Sequence, residues 1–252
     1  VPTGMIGTDA FQETDFFGLS SSICKHNYLV KDVKDLPKII KEAFHVATSG
    51  RPGPVTIDIP KDVSLAELPN YEYPEKVELA GYKPVVEGNM KQIQTLADAI
   101  KKSSKPVLYT GGGIVTSGAE KEIRALVEKV NIPTTTTLMG LGTLPSDHPE
   151  FLGMPGMHGT VAANYALMEC DLLIAIGTRF DDRVTGPPET FAKNAKVAHV
   201  DIDPAEISKN VEVDIAVIGD VRDVLQELIP LVNEKEMGEW QQEIKQLKQK
   251  HP

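Results

Sequence analysis

The feature of this sequence that most constrains its fold is a regular alternation of helix-like and strand-like segments over residues 85–232. Short runs rich in β-branched residues predict strands at 106–110, 133–137, 171–176, 196–201 and 214–218. Apolar residues at helical spacing predict helices at 89–102, 118–130, 161–168 and 221–232. Because such alternation is typical of right-handed βαβ crossovers, we expect an α/β fold, a doubly wound, mostly parallel sheet with helices on both faces.

The ends of the predicted strands carry residues suited to a nucleotide. In doubly wound sheets, ligands collect at the carboxyl ends of the strands, where helix N-termini present backbone N–H groups. The runs at these ends are 111–113 (Gly-Gly-Gly), 177–183 (Gly-Thr-Arg-Phe-Asp-Asp-Arg), 201–203 (Asp-Ile-Asp) and 219–220 (Gly-Asp). Together they predict a nucleotide or dinucleotide site. A structural turn at the glycines and a solvated loop at the charges are the alternatives.

One predicted helix, 161–168, has a candidate anion site at its start. The backbone amides of Gly159 and Thr160 could bind an anion there, whereas His158 could equally be a turn residue. No serine lies in a GxSxG elbow, and the six histidines show no metal-ligand spacing. We therefore expect neither a hydrolytic triad nor a metal site.

The charge balance argues against nucleic acid or a membrane surface as the partner. The chain has 26 Lys and Arg against 36 Asp and Glu, a formal net charge of −10, whereas both partners need clustered basic residues. No apolar run approaches the ~20 residues that span a bilayer, and no basic leader precedes an apolar core. Cys24 and Cys170 are predicted to be buried, reduced thiols. We expect a protein of the cytoplasm, or of an organelle, that handles small molecules.

Residues 1–68 predict only part of a second α/β unit. A helix begins at Asp35, and a rigid turn at residues 51–54 leads into a strand at 55–60. One strand and one helix cannot close a core. We therefore expect partner strands before Val1 and a chain that is a fragment.

Two further segments flank the predicted domain 85–232. Residues 69–84 predict an extended linker, because prolines and charges alternate there without a sustained period. Residues 233–252 predict a helical segment, and its thin apolar stripe should dock on another surface. That stripe consists of Trp240, Ile244 and Leu247.

Several long runs of this sequence resemble one known family. They are residues 1–3 (Val-Pro-Thr), 5–13 (Met-Ile-Gly-Thr-Asp-Ala-Phe-Gln-Glu), 25–28 (Lys-His-Asn-Tyr), 49–55 (Ser-Gly-Arg-Pro-Gly-Pro-Val), 60–62 (Pro-Lys-Asp) and 179–184 (Arg-Phe-Asp-Asp-Arg-Val). These runs resemble the catalytic large subunit of acetolactate synthase, a thiamine-diphosphate enzyme with three α/β domains. The resemblance implies that residues 1–68 end the pyrimidine-binding domain and that residues 85–232 form the central FAD-binding domain. Residues 233–252 would then lead toward a diphosphate-binding domain.

The resemblance also implies an activity and its cofactors. Members of this family decarboxylate pyruvate on thiamine diphosphate and join the product to a second pyruvate or to 2-ketobutyrate, in the synthesis of branched-chain amino acids. They also carry FAD, which is understood as structural. By family motif, the residues that contact FAD would be Arg51, Gly111, Gly112, Gly113, Thr137, Leu138, His158, Gly159, Thr160, Gly177, Thr178, Arg179, Asp201, Ile202, Asp203, Gly219 and Asp220.

Five residues would bind the substrate according to the same resemblance. Arg183 would hold the acceptor carboxylate, because a guanidinium can bind a carboxylate through two hydrogen bonds. Phe11 and Met157 would wall the pocket, and Gln12 and Lys61 would line its channel from the neighbouring subunit's side. The alternatives are plain core packing for Phe11 and Met157, and an ion pair from Arg183 to a neighbouring aspartate.

Two parts of the family pattern have no match in this sequence: the activating glutamate and the motif that holds magnesium (Mg²⁺) and the diphosphate. We therefore expect this chain alone to be inactive. The complete enzyme would be a homodimer or homotetramer that can also bind a regulatory small subunit. Two rival interpretations are another thiamine-diphosphate enzyme of 2-ketoacids, such as pyruvate oxidase or glyoxylate carboligase, and a non-catalytic nucleotide-binding module.

Overall fold

The computed structural model describes residues 1–234 and 238–251 and divides into two compact units, residues 1–84 and 85–252. The predicted helical segment at 233–252 falls partly on residues 235–237 and 252, which lie outside the described residues. No helix in the described ranges is both long and apolar enough to cross a membrane.

The first unit contains a pair of short parallel strands backed by a helix. Its strands are β1 (His26–Leu29) and β2 (Val55–Asp58), and its helices are α1 (Phe16–Ser20), α2 (Leu36–Thr48) and α3 (Lys61–Leu65), with single 3₁₀ turns at Thr3–Met5 and Val33–Asp35. His26 pairs with Val55 and Leu29 with Asp58. The expectation of a single strand here is wrong. The strand β1 escaped sequence analysis because its four residues include polar His26 and Asn27 and show no alternation.

The segment 69–84 contains no helix or strand and packs against α2. The Lys41 ammonium donates hydrogen bonds to the carbonyls of Pro74 and Glu75, the latter at 2.8 Å. The Tyr82 hydroxyl donates to the carbonyl of Ser49, at 3.1 Å, just beyond the end of α2. This segment therefore lacks regular secondary structure and is fixed within its own unit by side-chain hydrogen bonds.

The second unit is built on a parallel five-stranded sheet, counted over the described residues. Its strands are β3 (Pro106–Thr110), β4 (Thr134–Thr136), β5 (Leu172–Ile176), β6 (Lys196–Asp201) and β7 (Ile215–Ile218). Their order across the sheet is β4-β3-β5-β6-β7, with every neighbouring pair parallel. The predicted doubly wound α/β fold is confirmed. The chain reverses its direction of winding between β3 and β5, which is where such sheets bind ligands.

Helices cover both faces of this sheet. They are α4 (Met90–Lys102), α5 (Gly112–Ser117), α6 (Glu120–Val130), α7 (Val161–Glu169), α8 (Asp182–Thr185), α9 (Val221–Leu231) and α10 (Gly238–Lys250), with single 3₁₀ turns at Leu138–Gly140, Pro188–Thr190 and Pro204–Glu206. One face packs on α4, α6 and α9, and the other packs on α7 and α10. The predicted helix 118–130 is α6, which begins two residues later, because Gly118, at φ +66°, instead ends α5, a short helix that was not predicted.

The apolar stripe of α10 lies on the second unit itself. Trp240 and Ile244 are buried in the core layer that contains α7, whereas Leu247 is half-buried. The Trp240 indole donates a hydrogen bond to the carbonyl of Pro106, at 3.3 Å. The Lys105 ammonium also pairs with the Glu243 carboxylate, at 3.1 Å. The helix therefore docks as predicted, and the surface that it covers belongs to the second unit, next to the start of β3.

Candidate functional site

The strand-end residues predicted from the sequence lie along one edge of the second unit. Because all five strands are parallel, their carboxyl ends share that edge, in the order of the strands across the sheet. With neighbouring strands ~4.8 Å apart, this edge is roughly 19 Å wide, which suits an extended ligand such as a dinucleotide. We call it the carboxyl edge.

Backbone packing explains the glycines at the winding reversal. The N–H of Gly111 donates to the carbonyl of Ile176 at 3.0 Å, and the N–H of Gly113 donates to that of Gly177 at 2.9 Å. A Cβ on Gly113 would lie 2.6 Å from the Cα of Gly177, closer than real Cβ atoms approach backbone. A Cβ on Gly112 would meet Met139 instead, at 3.0 Å. The structural alternative therefore accounts for Gly111, Gly113 and Gly177 without a ligand.

The acids at the strand ends also have local hydrogen-bonding roles. The Asp201 carboxylate is buried and accepts a hydrogen bond from the N–H of Asp203, at 2.8 Å. Asp203 accepts from the N–H of Ala205 at 3.0 Å, and Ile202 lies half-buried between the two acids. Asp220 accepts from the Ser117 hydroxyl at 2.6 Å and from the N–H of Arg222 at 2.9 Å. These contacts stabilise turns and the start of α9.

Close backbone packing also explains why residue 219, which follows β7, is a glycine. A Cβ there would lie 2.9 Å from the backbone nitrogen of Gly88.

Thr137, after β4, caps the following 3₁₀ turn with its hydroxyl, which accepts from the N–H of Gly140 at 3.1 Å. Leu138 is exposed on that turn. Of these residues, Leu138 offers the carboxyl edge an exposed apolar side chain.

In the turn before α7, the two backbone amides that were predicted to bind an anion donate hydrogen bonds to carbonyls of the turn itself. The N–H of Gly159 donates to the carbonyl of Gly156 at 3.0 Å, and that of Thr160 donates to the carbonyl of Met154 at 2.9 Å. The Thr160 hydroxyl caps α7 by accepting from the N–H of Ala163, at 3.1 Å. His158 is exposed. The hydrogen bonds of this turn favour its structural interpretation.

Residues 177–181, which we call the β5–α8 loop, alternate between buried and exposed side chains. Thr178 and Phe180 are buried, whereas Arg179 and Asp181 are exposed. The Phe180 ring is 3% exposed and packs among three other rings, with centroid distances of 6.3 Å to Tyr109, 5.9 Å to Phe191 and 5.1 Å to His199. The buried residues thus anchor the loop, and Arg179 is left at the carboxyl edge.

The charges at the start of α8 are organised by Asp181. Its carboxylate accepts a hydrogen bond from the N–H of Arg183, at 3.0 Å. This hydrogen bond lowers the pKa of Asp181, and the positive charges of Arg179 and Arg183 lower it further. In the part of the chain that the structure describes, the Arg183 guanidinium forms no ion pair with Asp181 or Asp182. The ion-pair alternative for Arg183 is therefore not what the structure contains.

Met157 lies beside Arg183. Its backbone N–H donates to the Arg183 carbonyl at 3.3 Å, and its side chain is 67% exposed. Core packing therefore does not explain Met157. The Arg183 side chain is exposed as well. An apolar and a cationic side chain carried by neighbouring backbone segments suit a small carboxylate that carries an apolar group.

The first unit holds the other predicted substrate residues on its surface. Phe11 is 88% exposed, so core packing within this chain does not explain it. Gln12 has φ +62° and is exposed, as are Lys61, the first residue of α3, and Arg51 in the turn before β2. The Glu13 carboxylate accepts hydrogen bonds from the N–H groups of Gly7 and Ala10, which lower its pKa and close the loop that presents Phe11 and Gln12.

Sequence analysis missed three residues that shape these loops: Glu13, Phe180 and His199. Phe180 and His199 act through packing between distant segments, which a single sequence does not reveal. Glu13 follows Gln12 directly in the sequence, and a carboxylate beside a turn is a signal that could have been noted.

Burial raises the pKa of the Cys170 thiol to about 12, as expected for an inert cysteine, whereas Cys24 is only half-buried. Over the described residues, no group of three His, Cys, Asp or Glu side chains could hold a metal ion.

Comparison with known proteins gives a consistent picture. The family described as "Thiamine pyrophosphate enzyme, central domain" matches residues 93–228. An acetolactate synthase large subunit of Corynebacterium glutamicum is 49% identical, over 100% of this chain and 41% of its own length. Similar proteins are an acetolactate synthase of Mycobacterium bovis, 50% identical over 95% of this chain and 40% of its own length, and an acetolactate synthase large subunit of Haemophilus influenzae, 46% identical over 99% and 45%. The chain thus spans about two fifths of the length of these relatives.

Proposed function

The chain belongs to the thiamine pyrophosphate enzyme family, and from this premise we propose that it is part of an acetolactate synthase. The observation that carries the proposal is the identity of 46–50% to proteins of that name over at least 95% of this chain. The proposed reaction is the decarboxylating condensation of pyruvate with a second pyruvate or with 2-ketobutyrate. It takes place in the cytoplasm or in an organelle.

The proposed cofactors are FAD, thiamine diphosphate and Mg²⁺. FAD would lie along the carboxyl edge, whose width and exposed Arg179 suit an extended ligand with an anionic diphosphate. Arg51, Leu138 and His158 would add contacts through side chains that are exposed here. The strand-end glycines and acids would contribute by shaping the edge rather than by direct side-chain contact. A flavin held there would be structural, because the net condensation transfers no electrons.

The proposed acceptor site is centred on Arg183. Its guanidinium would hold the carboxylate of the incoming 2-ketoacid through two hydrogen bonds and so fix the direction of the ketone carbonyl. Met157, whose N–H donates to the Arg183 carbonyl, would contact the apolar side of the same molecule. Phe11 would also wall the pocket, and Gln12 and Lys61 would line its channel, all three from a neighbouring subunit. These roles require the complete protein, in which further residues supply the thiamine diphosphate and Mg²⁺ sites.

The proposed assembly is a homodimer or homotetramer that can also bind a regulatory small subunit. The first unit supports this, because large exposed apolar patches mark contact surfaces and residues 5–19 expose several large apolar side chains. They are Met5, Ile6, Phe11, Phe16, Phe17 and Leu19.

The test is to supply the full-length gene product with thiamine diphosphate, Mg²⁺ and FAD and to measure acetolactate formed from pyruvate. The proposal predicts acetolactate as the main product, with 2-aceto-2-hydroxybutyrate when 2-ketobutyrate is added. Acetyl phosphate or tartronate semialdehyde from the appropriate substrates, without acetolactate, would instead identify another 2-ketoacid enzyme. The absence of any thiamine-dependent turnover would favour a nucleotide-binding module.

A further inference from the structure

A fully buried histidine forms a hydrogen bond with the backbone of the β5–α8 loop. His199 lies on β6, is 0% exposed, and faces the core layer that contains Phe180. Its Nε2 atom is 2.9 Å from the carbonyl oxygen of Thr178. The proposed function gives this histidine no role, although polar groups buried so deeply usually have one.

The contact defines the protonation state of the imidazole. A carbonyl oxygen only accepts, so Nε2 carries the proton and donates it. Among the described residues, Nδ1 has no hydrogen-bond partner, as expected for a neutral ring with its bare nitrogen in the core. The acids that face this ring are Asp201, whose Oδ2 is 3.8 Å from Nε2, and more distantly Glu206. Burial outweighs their effect and lowers the pKa of His199, which keeps the ring neutral.

The bond to Thr178 controls the residue that follows it. The Thr178 carbonyl and the Arg179 N–H belong to one planar peptide group, so fixing the carbonyl also fixes the direction in which the chain enters Arg179. On the other side, the Asn210 side-chain amide donates to the carbonyl of Phe180, at 2.7 Å. Two carbonyls that flank Arg179 are therefore held by side chains of distant segments, and Arg179 itself is left exposed.

We propose that His199 is a positioning residue that orients Arg179 at the carboxyl edge toward the anionic part of the bound cofactor. The inference rests on the proposed function for the identity of that cofactor, and on the geometry of the loop for the role of the histidine. His199 itself touches no ligand. Its effect passes through the Thr178–Arg179 peptide group.

Three substitutions in the full-length protein separate this role from simple packing. His199→Gln keeps an amide donor near the position of Nε2, His199→Asn moves the donor back to about the position of Nδ1, and His199→Phe fills the space without a donor. His148→Gln is the matched control, because His148 lies in the turn before Phe151 and accepts through Nδ1 from the N–H of Glu150. For each variant, FAD affinity is measured by fluorescence titration. Exchange of the Asp181 amide, which donates to the carbonyl of Arg179 at 2.9 Å, is measured by mass spectrometry without FAD.

We expect His199→Asn and His199→Phe to bind FAD about three- to tenfold more weakly and to exchange the Asp181 amide faster, in line with the loss of one neutral hydrogen bond. His199→Gln should restore most of both properties, and His148→Gln should change neither. Equal FAD affinity and equal exchange in all variants would overturn the inference while leaving the proposed function intact. Equal loss in all three His199 variants would also overturn it, because packing alone would then be responsible.

Two further measurements decide the role of His199 if the protein binds no FAD or if the variants do not fold. If the unaltered protein binds no FAD, the proposed cofactor is wrong, and the exchange of the Asp181 amide alone decides the role of His199. If the Asn and Phe variants do not fold, nitrogen NMR of the unaltered protein labelled in histidine decides it. A proton on Nε2 of His199 supports the bond to Thr178, and a proton on Nδ1 contradicts it.

Discussion

The backbone N–H of Met157 donates a hydrogen bond to the carbonyl of Arg183, at 3.3 Å. Gly156 makes this approach possible: it has φ +96°, and a Cβ there would lie 2.5 Å from the same carbonyl oxygen. The loop before α7 and the start of α8 are therefore joined through their backbones. Both residues leave their side chains exposed, one apolar and one cationic.

The role proposed for Arg183 predicts a specific kinetic defect. In the full-length protein, Arg183→Ala should weaken capture of the acceptor ketoacid roughly ten- to a hundredfold, the equivalent of about 1.5–3 kcal/mol for a charge-assisted contact. Pyruvate decarboxylation should fall much less. Arg183→Lys should restore little, because an ammonium lacks the planar pair of donors.

The control for this prediction is Arg222→Ala, which removes an arginine of α9 whose ion-pair partner is Glu122 of α6, at 3.2 Å. Flavin content is measured in every variant before the kinetics are compared. An Arg183→Ala enzyme that keeps its flavin and partitions its intermediate into acetolactate as well as the parent would show that Arg183 has no acceptor role.

The close contact between Gly113 and Gly177 predicts a strong effect on stability. Gly113→Ala should lower the free energy of unfolding by at least 1–3 kcal/mol, the usual cost of overpacking, because the obstructing atoms are backbone. Gly4→Ala is the matched control, since no atom lies within 4 Å of a Cβ there. Urea denaturation measures both, and an unchanged midpoint for Gly113→Ala would contradict the packing described here.

Two phenylalanines should behave oppositely. Phe180→Ala empties the centre of an aromatic cluster and should lower the free energy of unfolding by about 3–5 kcal/mol. Phe11→Ala should change it by less than about 0.5 kcal/mol, because the ring is 88% exposed. Similar losses in thermal denaturation of the two variants would argue against Phe180 as the anchor of the β5–α8 loop.

The burial of His199 predicts a pH dependence of stability. Its pKa is lowered from 6.5 in the folded state, so the unfolded chain binds more protons between the two values. Stability should therefore be complete above about pH 6.5 and should decrease as the pH falls below it, until the lowered pKa is passed. His199→Gln should reduce this slope. Urea midpoints between pH 7.5 and 5 test it, and equal slopes in parent and variant would show that another group is responsible.

Much of the fold followed from local pattern. The strands of the second unit are short β-branched runs between helices, and their parallel order follows from the right-handed crossovers that join them. The small strand β1 did not follow, because two of its four residues are polar. The short helix α5 was also missed, because it begins in the run Gly111–Gly113, which was interpreted as a turn.

The candidate site was only partly predictable, for a physical reason. Glycines and aspartates at strand ends predicted where the edge lies, but Gly113 and Asp220 serve the backbone there. The side chains that arrange the edge, Phe180 and His199, are 19 residues apart and meet only in the folded sheet. Contacts of that kind depend on strand order and register, which no local period encodes.

The most direct test of the central claim is a calorimetric titration of the purified full-length protein with FAD and, separately, with NAD. The proposed use of the carboxyl edge predicts saturable binding of FAD, with a yellow protein after removal of free flavin, and no comparable binding of NAD. Binding of NAD without measurable affinity for FAD would contradict the proposal.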